Sequence, residues 1–161
     1  MVFGIFDLRE RPHHVDGVAE RIWGAFWRHK GTPLAQIRSG LDAFLKPDTR
    51  IPFALVVEID GNIRGNALVI ANDEEARPEL TPWLAALWVD EVVRGRGIAA
   101  ALLEDVARRC ALLGVERLYL VSRPALRDFY MSRGWHIREE SVGKAGLTLY
   151  GLELGAVSSG P

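Results

Sequence analysis

The stretch Val89-Asp90-Glu91-Val92-Val93-Arg94-Gly95-Arg96-Gly97-Ile98-Ala99 carries the residue types best suited to holding an anion. Glycines let a backbone approach a ligand closely. A helix starting just after them offers unpaired N–H groups and the positive end of its dipole. Arg94 and Arg96 add charge to the same corner, so the chemistry implied is retention of a phosphate or pyrophosphate. The segment lacks the Lys-Ser/Thr of a Walker loop and the third glycine of the dinucleotide fingerprint. One Arg-Gly-Arg-Gly copy between regular elements also differs from a disordered RNA-binding arm. On residue types alone, a plain strand-to-helix turn and a nucleotide-phosphate site both stay open.

The elements that must position this segment follow from periodicity. Trp83 to Val89 is apolar on both faces, as a central strand would be, and Ile98, Leu102, Val106, Cys110 and Leu113 recur at helical spacing until Gly114. Upstream, Val2 to Asp7 reads as a strand, His13 to Arg28 and Pro33 to Leu45 as helices, and Phe53 to Ile59 with Ile63 to Ile70 as a hairpin turned at Asp60-Gly61-Asn62. Asn72 to Pro82 is an acidic, proline-containing loop. Downstream, Leu118 to Val121 is a strand, Pro124 opens a short helix that Gly134 ends, and Trp135 to Glu140 and Leu147 to Leu154 are final strands. The order β-α-α-β-β-β-α-β-α-β-β predicts an α+β fold, a mixed sheet flanked by helices. Residues 1–155 form one domain in this reading, and 156–161 a short flexible tail.

Composition narrows the partners. A chain of 161 residues, 48% hydrophobic and 25% charged, is the size of one ordinary globular domain. With 20 Lys+Arg against 21 Asp+Glu it carries no domain-wide positive field, which predicts neither nucleic acid nor an anionic membrane as partner. The single cysteine, Cys110, cannot form an intramolecular disulfide and lies on the apolar helical stripe, so it reads as a buried structural thiol in a cytoplasmic protein. The four histidines, His13, His14, His29 and His136, show no metal-ligand spacing, and no metal is expected. Trp23, Phe26 and Trp27 read chiefly as core.

A second block, Ala125-Leu126-Arg127-Asp128-Phe129-Tyr130-Met131-Ser132-Arg133-Gly134-Trp135, is a helix with an aromatic-Tyr pair ending in Gly-aromatic. Arg94-Gly95-Arg96-Gly97-Ile98-Ala99 meanwhile fits the pattern Arg/Gln-x-x-Gly-x-Gly/Ala. With these two blocks the chain resembles the GNAT superfamily of acetyl-CoA-dependent N-acetyltransferases. The element order agrees over nearly the whole chain, while the motif matches are confined to Trp83 through Trp135. Glu91 stands where a proline is frequent, Val93 where an aromatic residue is common, and Ala99 where glycine is commoner.

The resemblance implies a direct attack of a neutral primary amine, of a small molecule or a peptide, on the thioester of acetyl-CoA. It implies that Leu87, Trp88 and Val89 line the pantetheine, that a backbone N–H of Trp88 or Val89 meets the developing oxyanion, and that the amides of Gly95 to Ala99, flanked by Arg94 and Arg96, hold the pyrophosphate. Tyr130 is the implied general acid, since a phenol of pKa about 10 is protonated at neutral pH and a thiolate with a conjugate acid near about 8.5 can draw on it. No base is evident, and Asp73 in the acidic loop is the weak favourite. A non-catalytic acyl-CoA-binding or sensor domain is the alternative. A homodimer through the final strands is a further expectation.

Overall fold

The computed structural model describes residues 2–155, so the expected tail at 156–161 lies outside the described residues. Among the described residues, seven strands and four α-helices are joined by loops, short 3-10 turns and one π-helical turn. The strands are β1 (Gly4–Asp7), β2 (Phe53–Ile59), β3 (Asn62–Ile70), β4 (Trp83–Val89), β5 (Arg117–Ser122), β6 (His136–Val142) and β7 (Leu147–Glu153). The helices are α1 (Val15–Ile22), α2 (Leu34–Gly40), α3 (Ile98–Leu112) and α4 (Arg127–Met131). The sheet order is β1-β2-β3-β4-β5-β7-β6, which puts β4 fourth of seven, as its two apolar faces predict. Antiparallel pairs and one parallel pair, β4 with β5, make the sheet mixed, so the fold class is the α+β arrangement read from the sequence.

The chain divides into two compact units, and both β4 and α3 begin in one and end in the other. The first unit runs to Val69 and resumes at Ala86–Asp105. Its β2–β3 hairpin turns through Asp60 (φ 52°) and Gly61 (φ 79°), the two positive-φ positions that a two-residue hairpin needs. Leu8, Val18, Leu55, Val56, Val57, Ala67 and Leu102 are among its fully buried residues. The helical run after Pro12 differs from the sequence reading. Regular α-helix stops at Ile22, Trp23–Trp27 form a π-helical turn and Arg28–Lys30 a 3-10 turn that Gly31 ends at φ 76°.

The second unit comprises Ile70–Ala85 and the described residues from Val106 on. Trp83, Tyr119, Val142 and Leu149 form its buried cluster, with Ile70, Leu80 and Val121 packed against it. Trp83 is opposite Tyr119 in the parallel β4–β5 pair, and its indole donates to the Leu80 carbonyl at 2.7 Å. In the loop before β4, Arg77 Nε donates to Glu139 at 2.8 Å, an ion pair that holds the Glu139 carboxyl below the usual carboxylate range.

Candidate functional site

In the first unit the path of β4 departs from regular extension at Ala86, whose φ is 51°. An L-residue in this region costs about 1–2 kcal/mol, so neighbouring groups must hold it there. Asn66 on β3 donates its Nδ2 to the Ala86 carbonyl at 2.8 Å. One residue earlier on β3, Gly65 lets the strand pass the Trp88 carbonyl: a Cβ on Gly65 would come within 2.7 Å of that oxygen. Residues 85–88 are only partly buried, leaving the middle of β4 open to a ligand.

Where β4 ends, Asp90 gathers a network. Arg21 of α1 donates Nε and Nη2 to its two carboxylate oxygens at 3.0 and 2.8 Å, and the Trp88 indole donates to it at 3.0 Å. The Asp90 N–H donates to the Arg64 carbonyl at 2.8 Å. Arg94 then folds back, with its Nε donating to the Val89 carbonyl at 2.8 Å and its guanidinium 4.6 Å from the Trp88 ring centroid. Arg94 thus latches the end of β4. Charge-assisted hydrogen bonds in partly buried positions contribute about 1.5–3 kcal/mol. Asp90→Ala is therefore expected to lower the unfolding free energy by about 2 kcal/mol, read from the midpoint of a urea transition followed by tryptophan fluorescence.

The glycine-rich turn follows. Gly95 and Gly97 have φ of 76° and 80°, where only glycine sits without strain, and a Cβ at either would meet nothing within 4 Å. The constraint at these positions is therefore conformational, and the space beside them is open. Ile98 is buried and anchors the first turn of α3, whose hydrogen bonding starts with Ala101 N–H on the Gly97 carbonyl at 3.0 Å. The N–H groups that precede Ala101 in α3 lack an intrahelical acceptor and lie at the positive end of a 15-residue helix. Open glycines leading into such an end fit a diphosphate. Leu87, Trp88, Val89 and Arg94 to Ala99 all fall in this one continuous stretch of the first unit.

Tyr130 and Asp73 lie in the second unit. Tyr130 is buried on α4 among Phe129, Trp135 and Tyr150, with ring centroids 5.0, 6.3 and 5.3 Å away. Burial raises its phenol pKa, and a side-chain hydrogen bond with Ser122 partly opposes the rise. The buried Tyr150 hydroxyl beside it has no hydrogen-bond partner among the described residues. Asp73 is exposed in the loop before β4, and Glu75 is exposed with it. Glu74 instead accepts the Ala76 N–H at 3.1 Å and lies against Gly143.

Three other sequence readings meet the structure here. Cys110 is fully buried, and burial pushes its thiol up to about 12. It is expected to resist labelling by Ellman's reagent in the native protein and to react fully in denaturant. The aromatic cluster is less buried than its spacing implies: Phe26 and Trp27 are 36% and 39% exposed, because the π-helical turn shifts them off the apolar stripe. The histidines do acquire a third neighbour, since Glu58 of β2 is 2.7 Å from His14 Nε2 and the ligand atoms of His13, His14 and Glu58 lie within 4.8 Å of one another. Arg11 sits 3.1 Å from the same Glu58 oxygen, and its charge opposes a dication there. The arrangement acts as an ion-pair tie between the turn before α1 and β2.

Sequence reasoning missed Gly65, Asn66, Asp90 and Ser122 as shapers of the site. Only Gly65 left a signal, as a glycine inside a strand, which marks close backbone approach.

A family model described as acetyltransferase (GNAT) family matches residues 14–135. No curated protein matches the chain. Among solved structures, the Salmonella typhimurium protein yncA, determined with its cofactor acetyl-CoA, is 15% identical with a TM-score of 0.71, covering 100% of this chain and 99% of its own. A GNAT-family acetyltransferase from Streptococcus pneumoniae is 16% identical with a TM-score of 0.70 over 96% of this chain and 100% of its own. N-acetylglutamate synthase from Neisseria gonorrhoeae, complexed with coenzyme A and N-acetyl-glutamate, is 17% identical with a TM-score of 0.65, over 96% of this chain and 36% of its own. At these identities the likeness establishes the fold.

Proposed function

The chain belongs to the GNAT family of acetyltransferases, and from that premise we propose that it transfers the acetyl group of acetyl-CoA to a primary amine of a small molecule or peptide. The observation that carries the reading is the continuous run from the kinked β4 through two open positive-φ glycines into the N-terminus of α3. The acetyl-CoA bound to the fold neighbour from Salmonella typhimurium supports the same cosubstrate here. In this proposal residues 1–155 act as one acetyltransferase domain. Among the described residues no helix is long and apolar enough to cross a membrane.

When bound, acetyl-CoA supplies an activated acyl carbon on a thiol leaving group. The amides of Gly95 to Ala99 hold the pyrophosphate, with Arg94 and Arg96 adding charge. Leu87, Trp88 and Val89 line the pantetheine, and an N–H of Trp88 or Val89 receives the charge that develops on the thioester oxygen. The acceptor amine must lose a proton before attack, a role we assign to Asp73 or to water that it orders. As the new C–N bond forms and the C–S bond breaks, the departing sulfur takes a proton from Tyr130. Burial keeps that phenol protonated at and above its ordinary range, so the acid form is available at neutral pH. Exposed Phe26 and Trp27 offer apolar surface for the acceptor. A cytoplasmic location accords with the single buried thiol.

The first test is calorimetric titration with acetyl-CoA, ATP and NAD in parallel. Saturable binding of acetyl-CoA, not competed by the nucleotides, is the expected result. Equal binding of ATP or NAD would assign the loop to nucleotide phosphates. Acetyl-CoA binding with no turnover on any primary amine would leave a non-catalytic acyl-CoA-binding domain.

A further inference from the structure

We propose that Asn66 is a positioning residue for acetyl transfer: its side-chain amide holds β4 in the kinked path at Ala86 that presents Leu87, Trp88 and Val89 to the thioester. The inference rests on the acetyl-CoA reading above and extends it to a residue outside both family motifs.

Ala86 is a strand residue with φ 51°, and alanine has no polar side chain to stabilise that conformation locally. The other non-glycine residues with positive φ sit elsewhere: Asp60 in the hairpin turn, and Ser141 within the interval of β6 where the register shifts. A long-range contact must therefore fix Ala86, and Asn66 provides it through Nδ2 at 2.8 Å from the Ala86 carbonyl. A carbonyl only accepts, which settles which end of the amide faces it.

The cost of this arrangement argues for its purpose. Asn66 is wholly buried, and its Oδ1 has no hydrogen-bond partner among the described residues. A buried polar atom without a partner costs about 1–3 kcal/mol. Its neighbours along β3, Ala67, Leu68 and Val69, are apolar and buried, so an apolar side chain at 66 would suit the strand better on stability alone. The adjoining Gly65 is likewise shaped by β4, since any Cβ there would meet the Trp88 carbonyl. Two successive β3 residues thus follow the path of β4, one by donating a hydrogen bond and one by having no side chain. With Arg94 on the Val89 carbonyl, the kinked segment is fixed at both ends. A fixed backbone N–H aimed at developing charge is worth most when it does not reorganise during the reaction.

The test is difference infrared spectroscopy of acetyl-CoA labelled with carbon-13 at the thioester carbonyl, bound to wild type, Asn66→Asp, Asn66→Ser and Asn66→Ser/Ala86→Gly. Near-ultraviolet circular dichroism identifies the folded variants, and calorimetry gives their acetyl-CoA affinity. In wild type the carbonyl band is expected to move to lower frequency than in free acetyl-CoA. In Asn66→Asp and Asn66→Ser it should return most of the way to the free value, while Kd stays within about threefold of wild type. Ala86→Gly should restore much of the shift in the Asn66→Ser background, because glycine keeps the positive φ without the clamp. Folded Asn66 variants with the wild-type band position would overturn the role of Asn66 and leave the acetyl-CoA reading intact. Wild type that fails to bind acetyl-CoA, or binds it with no band shift, would overturn the underlying reading and this inference together.

Discussion

Gly97→Val is expected to lose acetyl-CoA affinity by about 100-fold, close to 2.7 kcal/mol, while the protein still folds. Gly97 holds φ 80°, a region that a β-branched residue enters only with strain. To escape that strain the turn must rearrange, and the amides of Ile98 and Ala99 move with it. A Cβ at this position would meet no heavy atom within 4 Å beyond its chain neighbours. The effect therefore falls on the ligand-facing backbone and the open space beside it rather than on the core. Gly95→Ala, at φ 76°, should show a smaller loss of about tenfold. Calorimetric titration reads both affinities, and thermal melts that stay cooperative confirm folding. Unchanged affinity in Gly97→Val would show that the phosphates do not use this turn.

Tyr130→Phe is expected to lower kcat by about 10²–10³-fold with acetyl-CoA affinity unchanged, since in the proposed mechanism the phenol acts only as the sulfur departs. The substitution keeps the ring that packs on Phe129, Trp135 and Tyr150, so a general loss of fold is not the anticipated cause. Thiol release can be followed with Ellman's reagent, because Cys110 is buried and does not compete for it. The pH dependence has a definite sign. Burial raises the Tyr130 pKa above the ordinary phenol value, so the folded state favours the protonated form. Its contribution to stability is complete below the unfolded pKa of about 10 and is lost as pH rises through the higher folded value. Wild type should therefore lose more stability than Tyr130→Phe above that point, and comparing the two proteins cancels the similar contribution of Cys110. Equal kcat in the two proteins would remove Tyr130 from the reaction.

Much of the local backbone form of the candidate site was legible because its signals are local. Gly95 and Gly97 between an apolar strand and an apolar-striped helix specify a tight turn into a helix N-terminus whatever the rest of the chain does. Asn66 was not legible, since within β3 it reads as one more polar residue after Asn62 and Arg64. Its meaning depends on the backbone angle of Ala86, 20 residues away. The π-helical turn at Trp23–Trp27 escaped for a related reason, as periodicity read residue by residue carries the stripe straight through and buries Phe26 and Trp27 on paper. Glu58 lies 44 residues from His14, beyond any local spacing rule. The two final strands join through Gly143 and Gly146, both at positive φ. That β7 rather than β6 lies beside β5 follows from sheet pairing, which alternating side chains do not encode.

The central claim is acetyl transfer to an amine, and the most direct measurement is a mass-spectrometric product balance. The protein is incubated with acetyl-CoA and a panel of primary amines that includes amino acids, polyamines and peptide N-termini. The account predicts at least one acetylated amine that accumulates one-for-one with free CoA and is almost absent with Tyr130→Phe. CoA release without any acetylated amine, or saturating acetyl-CoA binding with no release across the panel, would contradict it.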